Sequence, residues 1–344
     1  MNKPLAGVRV LDLSRLLPGA FCTHILRELG ATIIKVEPPG GDPLRRLPPL
    51  AADGESVFHH LLNRGKESFV LDLRVEADRA RLDAHLDETD VLVDNFRAAT
   101  GRRLALDPAS VRATRPALVH CSITGYGHAS PDADRAGHDL NFVAEAGLLS
   151  FDVTGRRAPA LPRMFIADVG GGAMSAAIGI LAALIGRGRT GEGAFIDISM
   201  HHASLYWLML PAARLLVNGA APAGSDAGGD LPTDGSHAFY NVYQCADGRW
   251  LALGALEPHF WTRFCERLGR PEWGPRHADR EGQPEIIAAL RDLIRARPRD
   301  AWLETFADLD LCLSPVRDPA EALAAAAALS SAAGIAGPWL PSRP

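Results

Sequence analysis

Short apolar runs alternate with amphipathic stretches along the first 200 residues, at the spacing of strand–helix–strand units. Val8–Leu13 (VRVLDL) reads as a buried strand, Ala20–Leu29 as a helix stopped by Gly30, and Thr32–Val36 (TIIKV) as a second strand. The pattern continues with a strand at Ser68–Leu73, a helix at Val75–Leu86, and strands at Asp90–Asp94 and Leu118–Ile123. An apolar helix-like run spans Leu140–Ala146, and a helix of Ala, Gly and Ile spans Ala173–Arg187. A strand at Ala194–Ser199 and an apolar helix at His202–Asn218, broken near Pro211, follow. This alternation predicts a parallel α/β sheet with ligands at the carboxyl ends of its strands. The Ser14–Gly19 turn (SRLLPG) lacks G-x-G-x-x-G, so the sheet is Rossmann-like and NAD is not expected.

The pattern changes after Gly219–Ser236, a linker of Gly, Ala, Pro, Ser and Asp. Phe239–Cys245 and Arg249–Leu256, joined through Asp247-Gly248, predict a β-hairpin. Helices are expected near Pro258–Leu268, Pro284–Arg297 and Arg299–Leu309, then the segment Leu311–Val316 and an Ala-rich helix from Pro319. The expectation is therefore a large α/β domain over 1–200, a helix and linker over 201–236, and a small α+β domain over 237–317.

Composition narrows the class. With 344 residues and 47% hydrophobic content, two domains with real cores are feasible. A net charge of -5 from interspersed acids and bases gives no reason to expect nucleic acid or a membrane surface as partner. Five scattered cysteines without C-x-x-C spacing suit a reducing cytoplasm. The N-terminus reads as a strand entry without a signal-peptide core, and Ala173–Gly186 is short for a membrane span. His59-His60 and His201-His202 are adjacent pairs expected on different helix faces, so no metal is assigned.

Candidate chemistry concentrates between Gly125 and Gly172. Gly137-His138-Asp139 opens the run Leu140–Ala146, and Asp168 stands between an apolar segment and Gly170–Gly172. A His and an Asp, whose side chains ordinarily titrate at roughly 6.5 and 3.9, could serve as an acid/base pair, although each motif alone is more often a helix cap. Basic clusters near strand ends, Arg45-Arg46, Arg64 with Lys66, and Asn95-Phe96-Arg97, could grip phosphates or be solvated surface. Glu257 precedes Pro258 at the start of a small-domain helix, where it could be an N-cap.

The opening segment GVRVLDLSRLLPGAFCTHILRELGATIIKVEPPGGDPLR, together with NRGKESFVLDL, resembles the family III CoA-transferase superfamily. The contexts of His138 and Glu257 are similar to its α-methylacyl-CoA racemase branch, while the context of Asp168 is shared with the transferases. That resemblance implies an acyl-CoA substrate and no cofactor beyond its CoA moiety. It implies a CoA-binding large domain completed by residues 318–344, and two subunits threaded as interlocked rings. His138 and Asp168 would be the two bases, with Glu257 of the second subunit orienting His138 and the Asp139 N–H stabilising an enolate. Leu16, Arg45, Arg46, Arg64, Lys66, Asn95, Arg97, Gly125, Tyr126 and Gly127 would hold CoA. A CoA-transferase with Asp168 as acyl acceptor and a catalytically weak CoA-ester binder are the alternatives. Gly235-Ser236-His237-Ala238 departs from the racemase pattern, leaving His237 as a substrate contact or an exposed linker residue.

Overall fold

Six runs of aliphatic residues pair in parallel as β1 (Arg9–Asp12), β2 (Thr32–Glu37), β3 (Glu67–Val70), β4 (Val91–Asp94), β5 (Val119–Thr124) and β6 (Phe195–Ser199). Their order across the sheet is β3-β2-β1-β4-β5-β6, with Val10 aligned to Ile33 on one side and Val91 on the other. The order reverses between β1 and β4, which opens a crevice at the carboxyl ends of those two strands. The computed structural model describes residues 3–149, 160–210, 212–213 and 232–333.

Helices cover both faces of this sheet. Leu17–Glu28 and Ser175–Thr190 pack Cys22, Ile25, Leu26, Ala176 and Ile180 on one face. Glu76–Asp87 and Pro108–Thr114 pack Leu82, Leu86 and Val111 on the other. β1 and β4 lie in the middle and are almost wholly buried, which is why they read as continuous hydrophobic runs. Three short helices, Val57–Asn63, Ala98–Arg103 and Pro108–Thr114, lie in stretches that show no helical pattern in the sequence.

A π-helical turn, Ile166–Met174, runs directly into Ser175–Thr190. The combined 25 residues are long and apolar enough to cross a membrane by length and composition, unlike the shorter run read from the sequence. Its buried residues, including Ala173, Ala176, Ala177 and Ile180, belong to the sheet core.

In the second unit, β7 (Tyr240–Gln244), β8 (Trp250–Gly254) and β9 (Leu313–Val316) form an antiparallel sheet in that order. Gly248 adopts φ +77 in the β7–β8 turn, a conformation that favours glycine. Trp261, Phe264, Leu290 and Trp302 from its helices pack against Tyr243, Leu251 and Leu253 of the sheet.

The units divide after Leu210, not at residue 200, and the helix expected over His202–Asn218 is Met200–Leu208. Most of the linker falls at 214–231, outside the described residues. The helix Pro319–Ala333, expected with the rest of 318–344 to complete the large domain, groups with the second unit. The physical reason is Glu321, which pairs at 2.7 Å with Arg299 of the small unit. Residues 334–344 lie outside the described residues.

Candidate active site

His138 is the N-cap of the helix Asp139–Glu145, and its own N–H donates to Asn141 Oδ1 at 3.0 Å. The imidazole-bearing residue is exposed, while Asp139 is half-buried in the first turn. Helix-terminal N–H groups such as that of Asp139 lack an intrahelical acceptor and carry partial positive charge.

Two glycines allow this helix to dock. Phe142 sits so close to Gly125 and Gly137 that a Cβ at either would lie 2.6 or 2.5 Å from its ring. The far end is fastened by Glu145, which accepts from the Tyr126 hydroxyl at 3.0 Å and from Arg135 at 2.6 Å. Arg135 also lies over the Tyr126 ring, 5.0 Å from its centre. Residues on both sides of His138 are therefore fixed by one cluster.

Asp168 enters from the opposite direction, in the first turn of the π-helical segment. Its backbone N–H donates to Asp139 Oδ1 at 2.8 Å, so the structure brings Asp168 beside the residue that follows His138. Burial, and then the neighbouring Asp139 carboxylate, raise the Asp168 carboxyl to about 7. The glycines behind it permit close packing: a Cβ on Gly172 would lie 3.2 Å from the Ala167 carbonyl and 3.0 Å from Met200. π-turns of this kind recur at functional sites.

Across the switch point lies a cavity of about 320 Å³, framed by the segments after β1, β2, β3 and β4. Arg15, Arg74 and Arg103 edge it, with Leu13, Val36 and Phe96 among its apolar walls. Arg15 and Arg103 are exposed and have no carboxylate partner among the described residues, whereas Arg74 pairs with Asp72 at 2.8 Å. Sequence reading missed all three; they stand singly, and only the strand order brings them to one crevice. Asn95 clamps the Arg15 backbone, accepting from its N–H at 3.0 Å and donating to its carbonyl at 2.8 Å. Leu16 adopts φ 63, ψ -149, a conformation costly for any residue but glycine. Its N–H donates to Asp42 at 3.2 Å.

Several residues expected at CoA do other work. Lys66 is buried, and its ammonium donates to Thr23 at 2.7 Å, Ala20 O at 3.0 Å and Asn63 at 3.0 Å, beside Asp12. Arg45 is held by Glu37 and Glu55, at 2.6 and 2.8 Å. Tyr126 and Gly127 are buried, with Gly127 N–H donating to Thr124, and Gly125 serves the packing of Phe142. Arg46, Arg64 and Arg97 are exposed. In the second unit, Glu257 is an exposed N-cap residue whose side chain makes no capping bond. His237 is buried against Phe239 and bonded to Ser236, so it is not an exposed linker residue.

These assignments separate two kinds of substitution. Arg103→Ala should raise KM for an acyl-CoA about tenfold, as expected for loss of one charge-assisted bond, with little change in kcat. Arg45→Ala should instead lower stability by about 3 kcal/mol, because it leaves the buried Glu37 carboxylate without its cation. Burial would raise Glu37, but its bonds from Arg45 and Ser68 outweigh this and hold it at about 2. The folded value is depressed, so that stabilisation is full above the unfolded carboxyl value. It fades as pH falls toward about 2. Urea unfolding of both variants across this range checks the distinction.

The fold is that of an α/β protein with a cation-edged crevice at the carboxyl ends of its parallel strands and, elsewhere in the same unit, an Asp168 carboxyl raised to about 7. The chain matches the family model "CoA-transferase family III" over residues 5–334. It is 32% identical over 316 residues to alpha-methylacyl-CoA racemase of Homo sapiens, covering 91% of this chain and 77% of that protein. It is also 32% identical to succinyl-CoA–D-citramalate CoA-transferase of Chloroflexus aurantiacus, covering 86% and 72%. A solved CAIB/BAIF family protein from Brucella suis superimposes with a TM-score of 0.81 at 31% identity, covering 94% and 86%. The chain belongs to CoA-transferase family III, and it is an enzyme acting on acyl-CoA.

Proposed function

We propose that the protein inverts the α-carbon of a 2-methyl-branched acyl-CoA by proton transfer between two bases. The thioester carbonyl acidifies the α-hydrogen. His138 takes this proton from the S epimer, the electrons pass into an enolate, and Asp168 returns a proton on the other face to give the R epimer. The reverse reaction exchanges the two roles. The Asp139 N–H is assigned to the enolate oxygen, where a fixed donor gains strength as charge develops.

The observation that carries this reading is the state of Asp168 beside the His138–Asp139 turn. A carboxyl raised to about 7 is matched to taking and giving protons near neutrality. A nucleophilic carboxylate would gain nothing from being half-protonated there. As a base, Asp168 must be ionised, so exchange from the R epimer should increase as pH rises through about 7. The direct test of the function is mass spectrometry of one pure 2-methylacyl-CoA epimer in D₂O with no acceptor acid. Absence of deuterium at the α-carbon, with CoA moving to an added acid, would establish the second reading.

That second reading is CoA transfer through an Asp168 mixed anhydride and then an aspartyl-CoA thioester. The similarity to the Chloroflexus transferase, equal in identity to that of the racemase, supports it. The proposal includes an interlocked homodimer in the cytoplasm. Exposed apolar side chains on the large unit, Ile178, Ile185, Tyr206, Trp207 and Leu210, favour a second copy as cover, and no disulfide joins the five cysteines. Sedimentation should give a dimer as the active species, and an active monomer would exclude this arrangement.

A further inference from the structure

A second group of ligating side chains is formed by residues that neither line the crevice nor belong to the acid/base pair. His59 and His60 belong to the helix Val57–Asn63, whose cap Ser56 accepts from the Phe58 N–H at 3.2 Å. Helical side chains lean toward the N-terminus of their helix. Here that direction leads to the preceding loop, which carries Asp53 and Glu55. The two rings therefore converge instead of diverging as adjacent positions suggest. One ligating atom from each of Glu55, His59 and His60 lies within 4.8 Å of the other two. His59 Nδ1 stands 3.5 Å from Glu55 Oε2, and His60 Nε2 stands 3.0 Å from Asp53 Oδ2.

The distances suit a shared ion. Two ligands bound to zinc at about 2.0–2.1 Å in a tetrahedral arrangement stand roughly 3.3 Å apart. The 3.5 and 3.0 Å separations bracket that value, and the ligating atoms of Glu55, His59 and His60 all lie within 4.8 Å of one another.

Two further observations point to a ligand. His59 is 6% exposed, yet neither of its ring nitrogens has a hydrogen-bond partner. A buried imidazole left in that state loses the full value of its hydration, so the arrangement calls for a partner. Glu55 is also oriented from outside the cluster. Arg45 donates to both its oxygens at 2.8 Å, and Arg45 is itself gripped by Glu37. Outer bonds of this kind fix ligating carboxylates and tune the metal they hold.

We propose that Glu55, His59 and His60, with Asp53 as fourth ligand, form a binding site for a divalent transition-metal ion of the zinc class. Such an ion ties the loop after Arg46 to the helix Val57–Asn63. The site is independent of the reaction proposed above.

The test uses the full, untagged chain after chelator treatment and dialysis. Calorimetric titration with Zn²⁺ should show one saturable equivalent. Co²⁺ titrated in its place should develop the intense visible bands of a tetrahedral complex. His60→Ala removes an exposed ring and Glu55→Gln conserves shape, so both variants should fold, as circular dichroism can verify. Each should weaken Zn²⁺ binding by more than about 10-fold, the lower end of what loss of an outer-shell partner costs. His201→Ala and His202→Ala should leave the binding unchanged. Failure of the wild-type chain to take up either metal saturably overturns the proposal. So does an unaltered affinity in His60→Ala, or a loss confined to the His201 and His202 variants.

Discussion

Asp168→Ala should abolish net epimerisation while leaving deuterium exchange from the S epimer measurable. Each base serves one face of the α-carbon, whose single hydrogen points to a different base in each epimer, so removing one base removes one half-reaction directly. His138→Ala should show the mirror result, keeping exchange from the R epimer through Asp168. General acid/base catalysis contributes about 10²–10⁴-fold, and this is the expected fall in the affected exchange. The geometry makes the test specific: Asp139 accepts from the Asp168 N–H through its side chain, so truncating the Asp168 side chain spares that bond. The half-buried carboxyl also opposes folding once ionised, because its folded value of about 7 lies above the 3.8 of an ordinary aspartate. That sign predicts that Asp168→Ala gains relative stability as pH rises from about 3.8 to about 7, with no further gain above. Loss of exchange from both epimers in Asp168→Ala, with His138→Ala unaffected, would overturn the two-base reading in favour of acyl transfer to Asp168.

Periodicity made most of the fold legible because the central strands are buried on both faces. VRVLDL and DVLVD announce β1 and β4 for that reason, and the Asp247-Gly248 turn announces the β7–β8 hairpin. Strand order was not legible, since every strand of a parallel sheet reads alike; nor were the short helices, whose residues carry little pattern. The region of His138 and Asp168 was legible as two polar interruptions beside glycines. Their meeting was not, because it depends on one bond between Asp139 and the Asp168 backbone.

The basic clusters were misleading for a related physical reason. A sequence shows where cations are, but not which carboxylates fold against them. Lys66 is consumed by Asp12, 54 residues away, and Arg45 by Glu37 and Glu55, 8 and 10 residues away and outside its own cluster. Arg15 and Arg103 escape such pairing and edge the crevice, although neither belongs to a cluster that reads as a phosphate grip. The same rule applies to His59 and His60, whose adjacency conceals a shared direction set by the preceding loop.

Co-expression of Asp168→Ala chains with Glu257→Gln chains should restore activity that neither variant has alone. Glu257 is exposed, caps no N–H with its side chain and has no ion-pair partner among the described residues. A carboxylate so placed has no evident task within its own unit. In the proposed dimer it meets His138 of the second copy and holds the ring in one tautomer and orientation, the role a carboxylate plays in a catalytic triad. Glu257→Gln keeps the shape and removes the charge, so activity should fall about 10²-fold or more. In a mixed dimer, the Glu257→Gln chain supplies intact His138 and Asp168 while the Asp168→Ala chain supplies intact Glu257. One of the two sites is then complete. With random pairing, about one quarter of wild-type epimerisation should return. If each site were built within a single chain, mixing would return none, and Glu257 would be no more than the residue before a helix.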